Sequence, residues 1–151
     1  MNVKKLVSTV PDRSVIIIRM MVGAVFLSEG LQKFLFPAEL GAGRFAKLGL
    51  PYPEFLGPLV GATEIVCAVA VLLGARLRIA VVPLLVVISV AIVTTKWPML
   101  RAHGFWAAAH DGRADFCMLA GLLFLLSTGA GRWSIDRANS GESRLSQREG
   151  L

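Results

Sequence analysis

The chain has 151 residues, of which 55% are hydrophobic and only 17% charged, and its net charge is +6. Soluble domains are nearer 45–50% apolar with about 25% charged residues, so this composition excludes an ordinary soluble domain and favours a polytopic membrane protein. The positive charge implies no nucleic-acid partner, because Lys and Arg collect in the loops on the inner side of a membrane. Two cysteines without a Cys-x-x-Cys spacing exclude a disulfide scaffold.

The first predicted helix, residues 14–36, is an almost wholly apolar run that is long enough to cross a hydrocarbon core of roughly 30 Å. It nevertheless contains Arg19, Glu29 and Lys33. A charge at membrane depth costs about 2.5–3.5 kcal/mol on insertion scales, so these side chains should face other helices rather than lipid. One side of the helix is polar and glycine-rich, and it carries Arg19, Gly23, Phe26, Gly30 and Lys33.

The second predicted helix covers residues 54–75, after an interfacial stretch at 38–53 that is interrupted by Gly and Pro. An ordinary loop is favoured there over a functional lid. Gly57, Gly61 and Glu64 share one face of the helix, which aims the carboxyl group into the bundle. The Gly57-x-x-x-Gly61 spacing allows close helix approach, either within the subunit or between the subunits of a homo-oligomer.

The third predicted helix, residues 79–95, is nearly pure Val, Ile, Leu and Ala and is assigned to packing and lipid contact. Residues 96–112 contain aromatic and polar side chains typical of a membrane interface. The fourth helix covers residues 113–128 and carries Asp115. Residues 137–151 are polar and rich in Ser and Arg, which predicts a disordered basic tail.

The positions of the histidines and cysteines in the sequence favour neither a metal site nor a disulfide bond. His103, His110 and Asp111 have a spacing that matches no zinc or copper pattern, so no metal site is predicted. Cys67 and Cys117 are expected at different membrane depths, too far apart for a bond that needs Cα atoms within about 7 Å.

The predicted fold is therefore an all-α integral membrane four-helix bundle over residues 1–136. Four spans place both termini on the same side of the lipid bilayer. Lys and Arg are more numerous at the termini and in the 76–78 link than in the opposite loops, which predicts that both termini are cytoplasmic.

Five charges inside the predicted spans form a candidate polar pocket: Arg19, Glu29, Lys33, Glu64 and Asp115. Their sum of −1 is close to the balance that paired burial requires. Counted along the helices, Asp115 is expected level with Lys33, and Arg19 within reach of Glu64. The group could hold a small ligand or pass protons, or it could only fix helix order and register, and the residues alone leave both open.

These residues resemble the DoxX family of small four-helix membrane proteins. The resemblance covers about Val15 to Asp136, and its motifs are Arg19-x3-Gly23-x2-Phe26-x3-Gly30-x2-Lys33, Leu48-Gly49-Leu50-Pro51-x-Pro53, Gly61-x2-Glu64, Gly74 with Arg78-x-Ala80, Asp115-Phe116-x-Met118-Leu119 and Gly129-x-Gly131-x2-Ser134-x-Asp136. Each piece is weak alone, but together and in this order they are fairly specific.

The resemblance implies a multi-pass protein of the bacterial inner membrane that is associated with redox chemistry. The family is similar to subunits of a thiosulfate:quinone oxidoreductase and of a terminal quinol oxidase. The sequence has no Cys-x-x-Cys, no haem-type His pair within the helices and no flavin motif, so it would be at most a non-autonomous subunit. The leading hypothesis is that the candidate pocket binds a quinone or a similar small amphiphile.

A second hypothesis is a non-enzymatic scaffold. Family members are linked to membrane complexes that pair a superoxide dismutase with a sulfurtransferase, and the loops and the basic tail could dock such soluble enzymes. A small transporter is a weaker third hypothesis, because the sequence shows neither an inverted repeat nor broken helices.

Overall fold

The computed structural model describes residues 13–138, and these are helical with short connections and no β-strand. Four helices follow in order: α1 Val15–Leu35, α2 Ala42–Lys47, α3 Pro53–Leu73 and α4 Leu77–Thr128. The tail expected at residues 137–151 lies outside this range except for Arg137 and Ala138, which belong to a short helical turn.

Helices α1 and α3 lie close to their predicted bounds because proline and glycine mark their ends. Pro37 follows the end of α1, and Pro53 occupies the first position of α3, where its missing N–H is tolerated. Gly74, in the left-handed conformation, ends α3. Each helix has 21 residues, about 31 Å at 1.5 Å per residue, which matches a bilayer core.

Helix α4 has 52 residues and folds back on itself at Gly104, whose φ of 80° and ψ of 177° interrupt the helix. We call residues 77–103 its first arm and residues 105–128 its second arm. The Arg78 guanidinium donates a hydrogen bond of 3.0 Å to the carbonyl of Ser127, so the start of the first arm lies beside the end of the second. The arms are therefore antiparallel and form a helical hairpin.

Residues 96–112, which were predicted to separate the third helix from the fourth, are helical apart from Gly104, so the predicted bounds of 79–95 and 113–128 are too short. Pro98 lies inside the first arm without ending it. At about 1.5 Å per residue the arms are roughly 36–40 Å long, which exceeds the hydrocarbon core. Polar residues near the turn of the hairpin can therefore lie in the headgroup layer while the backbone stays helical.

Three helices of the described chain are long and apolar enough to cross a membrane, namely α1, α3 and α4. Since α4 consists of two antiparallel arms, residues 13–138 form four long helical segments, and the count of four spans is approximate. The predicted all-α membrane four-helix bundle is confirmed. The ends of α1 and α4 nearest the termini lie on the same side, together with the turn between α3 and α4.

The contact between α1 and α3 depends on two glycines. A Cβ atom placed on Gly30 of α1 would lie 2.8 Å from the carbonyl oxygen of Gly61 on α3. A Cβ atom on Gly57 would lie 2.7 Å from the backbone nitrogen of Ala42, so α2 packs against the first turns of α3. Both glycines of the Gly57-x-x-x-Gly61 motif thus serve packing within the subunit.

Candidate functional site

The best-buried ion pair joins α1 and α3. The Lys33 ammonium, in the last turn of α1, lies 2.7 Å from Oε2 of Glu64 on α3. The Glu64 side chain is 3% exposed and the Lys33 side chain 10%. The close contact of Gly30 with Gly61 brings the two helices near enough for this pair, one turn from each glycine.

Glu29 connects this pair to the surface of the bundle. It lies one helical turn before Lys33, with its carboxylate 3.8 Å from the ammonium, and its side chain is 51% exposed. The Lys33 ammonium also donates a hydrogen bond of 3.4 Å to the carbonyl of Glu29. Lys33 therefore stands between a half-exposed carboxylate and a buried one, and the three groups carry a formal charge of −1.

Arg19 lies elsewhere, at the end of the bundle that holds both termini of the described chain. Its guanidinium donates four hydrogen bonds to backbone carbonyls, and the side chain is fully buried. The acceptors are Val71 at 3.0 Å, Leu72 at 2.6 Å, Ala130 at 2.9 Å and Trp133. A cation suits this place because the last carbonyls of a helix carry partial negative charge.

The expectation that Arg19 reaches Glu64 is therefore wrong. Its donors are used by the end of α3 and by the segment that follows α4. Arg19 fastens these two parts of the chain together.

Asp136, which sequence reasoning did not place in any site, completes this fastening. Its two carboxylate oxygens accept hydrogen bonds from the backbone N–H groups of Arg76 and Leu77, at 2.6 Å and 3.0 Å. The carboxylate thus caps the N-terminus of α4, where negative charge is favoured. Its own N–H donates to the carbonyl of Gly74 at 3.0 Å. The sequence signal that could have identified Asp136 is its position at the end of the motif that begins at Gly129.

Asp115 is paired within the hairpin and not with Lys33. The Lys96 ammonium on the first arm lies 2.9 Å from Asp115 and 2.6 Å from Asp111, both on the second arm. Sequence reasoning missed Lys96 and Asp111 as members of this cluster, because it placed both in a loop. Once an antiparallel hairpin with its turn at Gly104 is assumed, these positions fall opposite one another.

The five residues of the candidate pocket thus lie at three separate locations in the structure. Glu29, Lys33 and Glu64 come together between α1 and α3, whereas Arg19 and Asp115 have other partners. We call the first group the charged triad.

The remaining candidates for chemistry show no further site. Within residues 13–138, no group of three or more His, Cys, Asp or Glu side chains is arranged to hold a metal ion. Cys67 is half-buried and Cys117 is exposed, and both thiols are free.

Comparison with known proteins agrees with this architecture. The model of the DoxX family matches residues 14–97, which contain α1, α2, α3 and most of the first arm of α4. The chain is also 51% identical over 141 residues to an uncharacterized membrane protein of Mycobacterium tuberculosis, Rv3486, and the match covers 89% of this chain and 83% of that protein. No solved structure matches the chain.

Proposed function

Because the chain belongs to the DoxX family of membrane proteins, we propose that it is a membrane subunit of a quinone-linked oxidoreductase complex. In this proposal the charged triad of Glu29, Lys33 and Glu64 binds the head of a quinone and transfers the protons that accompany its reduction. The electrons come from a partner protein, since the chain itself has no Cys-x-x-Cys and no flavin motif.

The observation that carries the proposal is the burial of Glu64 against Lys33 in the membrane, at 2.7 Å. An intramembrane ion pair is costly to bury, and ionisable groups inside membranes commonly mark ligand sites and proton paths. Glu29 adds a half-exposed carboxylate on the same ammonium. A proton could therefore reach Glu64 from the surface by way of Glu29 and Lys33, once the 3.8 Å between these two side chains shortens to hydrogen-bond length or is bridged by one water.

The residues around the triad suit a flat amphiphile with carbonyl groups. The Lys33 ammonium can donate a hydrogen bond to a carbonyl oxygen, and the Glu64 carboxyl can give or accept the proton that accompanies reduction. The ring of Phe34 lies against Gly61, beside the triad, and is 49% exposed, which leaves an aromatic surface toward the bilayer. A bound quinone would supply the redox chemistry that these side chains lack.

The variant Glu64→Gln tests this proposal, with Glu54→Gln as its matched control. Glu54 is an exposed carboxylate in the first turn of α3. We expect Glu64→Gln to abolish quinone reduction by membranes that contain the assembled complex, with thiosulfate as the donor that the family resemblance suggests, while the protein still inserts and folds. Full activity of Glu64→Gln would refute the proton role.

A membrane scaffold for soluble thiol or oxidative-stress enzymes is the second candidate. The favouring observation is that Arg19 and Asp136 fasten residues 130–136 to the end of α3 and the start of α4, so that a tail would leave the bundle from a fixed point. Deleting residues 137–151 would then remove co-purifying proteins such as a superoxide dismutase or a sulfurtransferase. Intact capture by the truncated protein would count against docking through the tail.

The proposed orientation places both termini in the cytoplasm of a bacterial cell. Arg76 in the turn between α3 and α4, and Arg78 in the first turn of α4, lie on the same side as the described ends of the chain. Basic residues in such short links favour the cytoplasmic side.

A further inference from the structure

A cavity of about 420 Å³ lies between the two arms of α4 near their turn. Its wall includes Ile92 and Trp97 of the first arm, and Phe105 and Phe116 of the second. Lys96 is the one charged residue of this wall. The volume falls within the roughly 300–1,000 Å³ of small-molecule sites, and the predominantly apolar wall fits a hydrocarbon occupant.

The cavity runs along the two arms of the hairpin. Phe105 lies next to the turn of the hairpin, whereas Ile92 and Phe116 lie about three turns further toward the bilayer centre. Since the arms are longer than the hydrocarbon core, the turn lies in the headgroup layer. Trp97, Phe105 and Phe116 are each about half exposed, so the cavity is open to lipid.

Charge is distributed unevenly along this cavity. The Lys96 ammonium is held by both Asp111 and Asp115, so these three groups carry a formal charge of −1 and leave no free cation on the wall that the structure describes. Arg101, nearer the turn, stacks its guanidinium 5.0 Å from the centroid of the Trp97 ring, and it has no acidic partner among the residues that the structure describes. Arg101 is not part of the wall, but its guanidinium lies against Trp97, which is, so a cation without an acidic partner in the described part of the chain stands beside the cavity on the side nearer the turn.

We infer that this cavity binds an anionic phospholipid, with one acyl chain between the arms and the phosphate on Arg101. The order of these features along the cavity matches a lipid in the leaflet that contains the turn of the hairpin. The headgroup of such a lipid lies outward, and its acyl chain lies toward the bilayer centre. Basic side chains at the membrane surface attract acidic headgroups. The site is independent of the charged triad and of the proposed redox function, because it is built from α4 alone.

Lipid exchange followed by native mass spectrometry tests this site on the full chain. The protein is purified in mild detergent and titrated with phosphatidylglycerol or with phosphatidylcholine of the same chain length. We expect one phosphatidylglycerol to bind in clear preference to phosphatidylcholine. Equal binding of both lipids would overturn the assignment of an anionic headgroup, and competition by inorganic phosphate alone would overturn the role of the acyl chain.

Two pairs of variants separate the headgroup from the chain. Arg101→Gln should weaken phosphatidylglycerol binding about fivefold, which is the contribution of one basic side chain at the surface, whereas Arg44→Gln, at an exposed arginine of α2, should not. Ala109→Trp should fill the cavity and prevent binding, whereas Ala102→Trp, at an exposed position of the first arm, should leave it intact.

Ala109→Leu is used if the tryptophan variant does not fold. Unchanged phosphatidylglycerol binding by Arg101→Gln or by the folded Ala109 variant would overturn the proposed site.

Discussion

The ammonium of Lys33, in the last turn of α1, lies 2.7 Å from the carboxylate of Glu64, which is buried in the middle of α3. The pair lies beside the contact at which Gly30 and Gly61 bring the backbones of α1 and α3 together. The stability of the bundle and the proposed chemistry therefore depend on the same few residues.

Removing the cation should destabilise the protein more than removing the same charge from the surface. Lys33→Met leaves Glu64 buried without its partner, and breaking a buried pair in this way costs about 3 kcal/mol or more. Thermal unfolding in detergent measures the effect, with Lys47→Met at an exposed position of α2 as the control. Equal unfolding temperatures for the two variants would show that the pair contributes little.

Arg19 should not tolerate replacement by lysine. The guanidinium donates to four carbonyls in different directions, and an ammonium cannot reproduce that planar arrangement. We expect Arg19→Lys to lower the free energy of unfolding by about 2–3 kcal/mol, since several buried carbonyls lose their donor. Arg44→Lys serves as the exposed control, and a stability equal to that of this control would contradict the fastening role.

Gly30 should be intolerant of even one methyl group. In Gly30→Ala the new Cβ would meet the Gly61 carbonyl at 2.8 Å, and backbone atoms cannot move aside as a flexible side chain could. Overpacking of this kind costs about 1–3 kcal/mol. Chemical denaturation of Gly30→Ala should show this loss, whereas Ser28→Ala, at an exposed position of the same helix, should remain close to the parent protein.

Cysteine labelling in intact cells tests the orientation. In a background that lacks Cys67 and Cys117, Lys47→Cys on α2 should react with a membrane-impermeant maleimide, because α2 lies on the side opposite the described ends of the chain. Arg132→Cys should react only after the cells are lysed. The reverse pattern would place the termini outside.

The sequence predicted α1 and α3 well because proline and glycine mark their ends and the apolar runs fit a bilayer. It missed the continuation of α4, because Lys96, Trp97 and Pro98 together resemble the end of a span. In the protein, the helix continues through Pro98, and only Gly104 interrupts its backbone. Polar side chains do not end a helix whose end extends beyond the hydrocarbon core, because the headgroup layer solvates them. Hydropathy reports where a segment leaves the hydrocarbon, and this need not be where a helix ends.

Three of the five residues predicted for the candidate pocket come together in the structure, whereas Arg19 and Asp115 have other partners. The helical period placed Lys33 and Glu64 on inward faces. Their membrane depths, however, were counted from the helix ends, which assumes that the helices stand perpendicular to the membrane and begin at the same level. The Gly30–Gly61 contact sets the actual register and brings Glu64 to Lys33. The acceptors of Arg19 are backbone carbonyls at helix ends, and sequence periodicity gives no information on which carbonyls remain free.

The most direct test of the proposed function is the quinone content of the purified protein. The protein is isolated in mild detergent, extracted, and analysed by mass spectrometry as the parent chain, as Glu64→Gln and as Glu54→Gln. We predict about one quinone per chain in the parent and in Glu54→Gln, and at least a tenfold loss in Glu64→Gln. A parent protein without quinone, or a Glu64→Gln variant that retains it, would contradict the assignment of the charged triad as a quinone site.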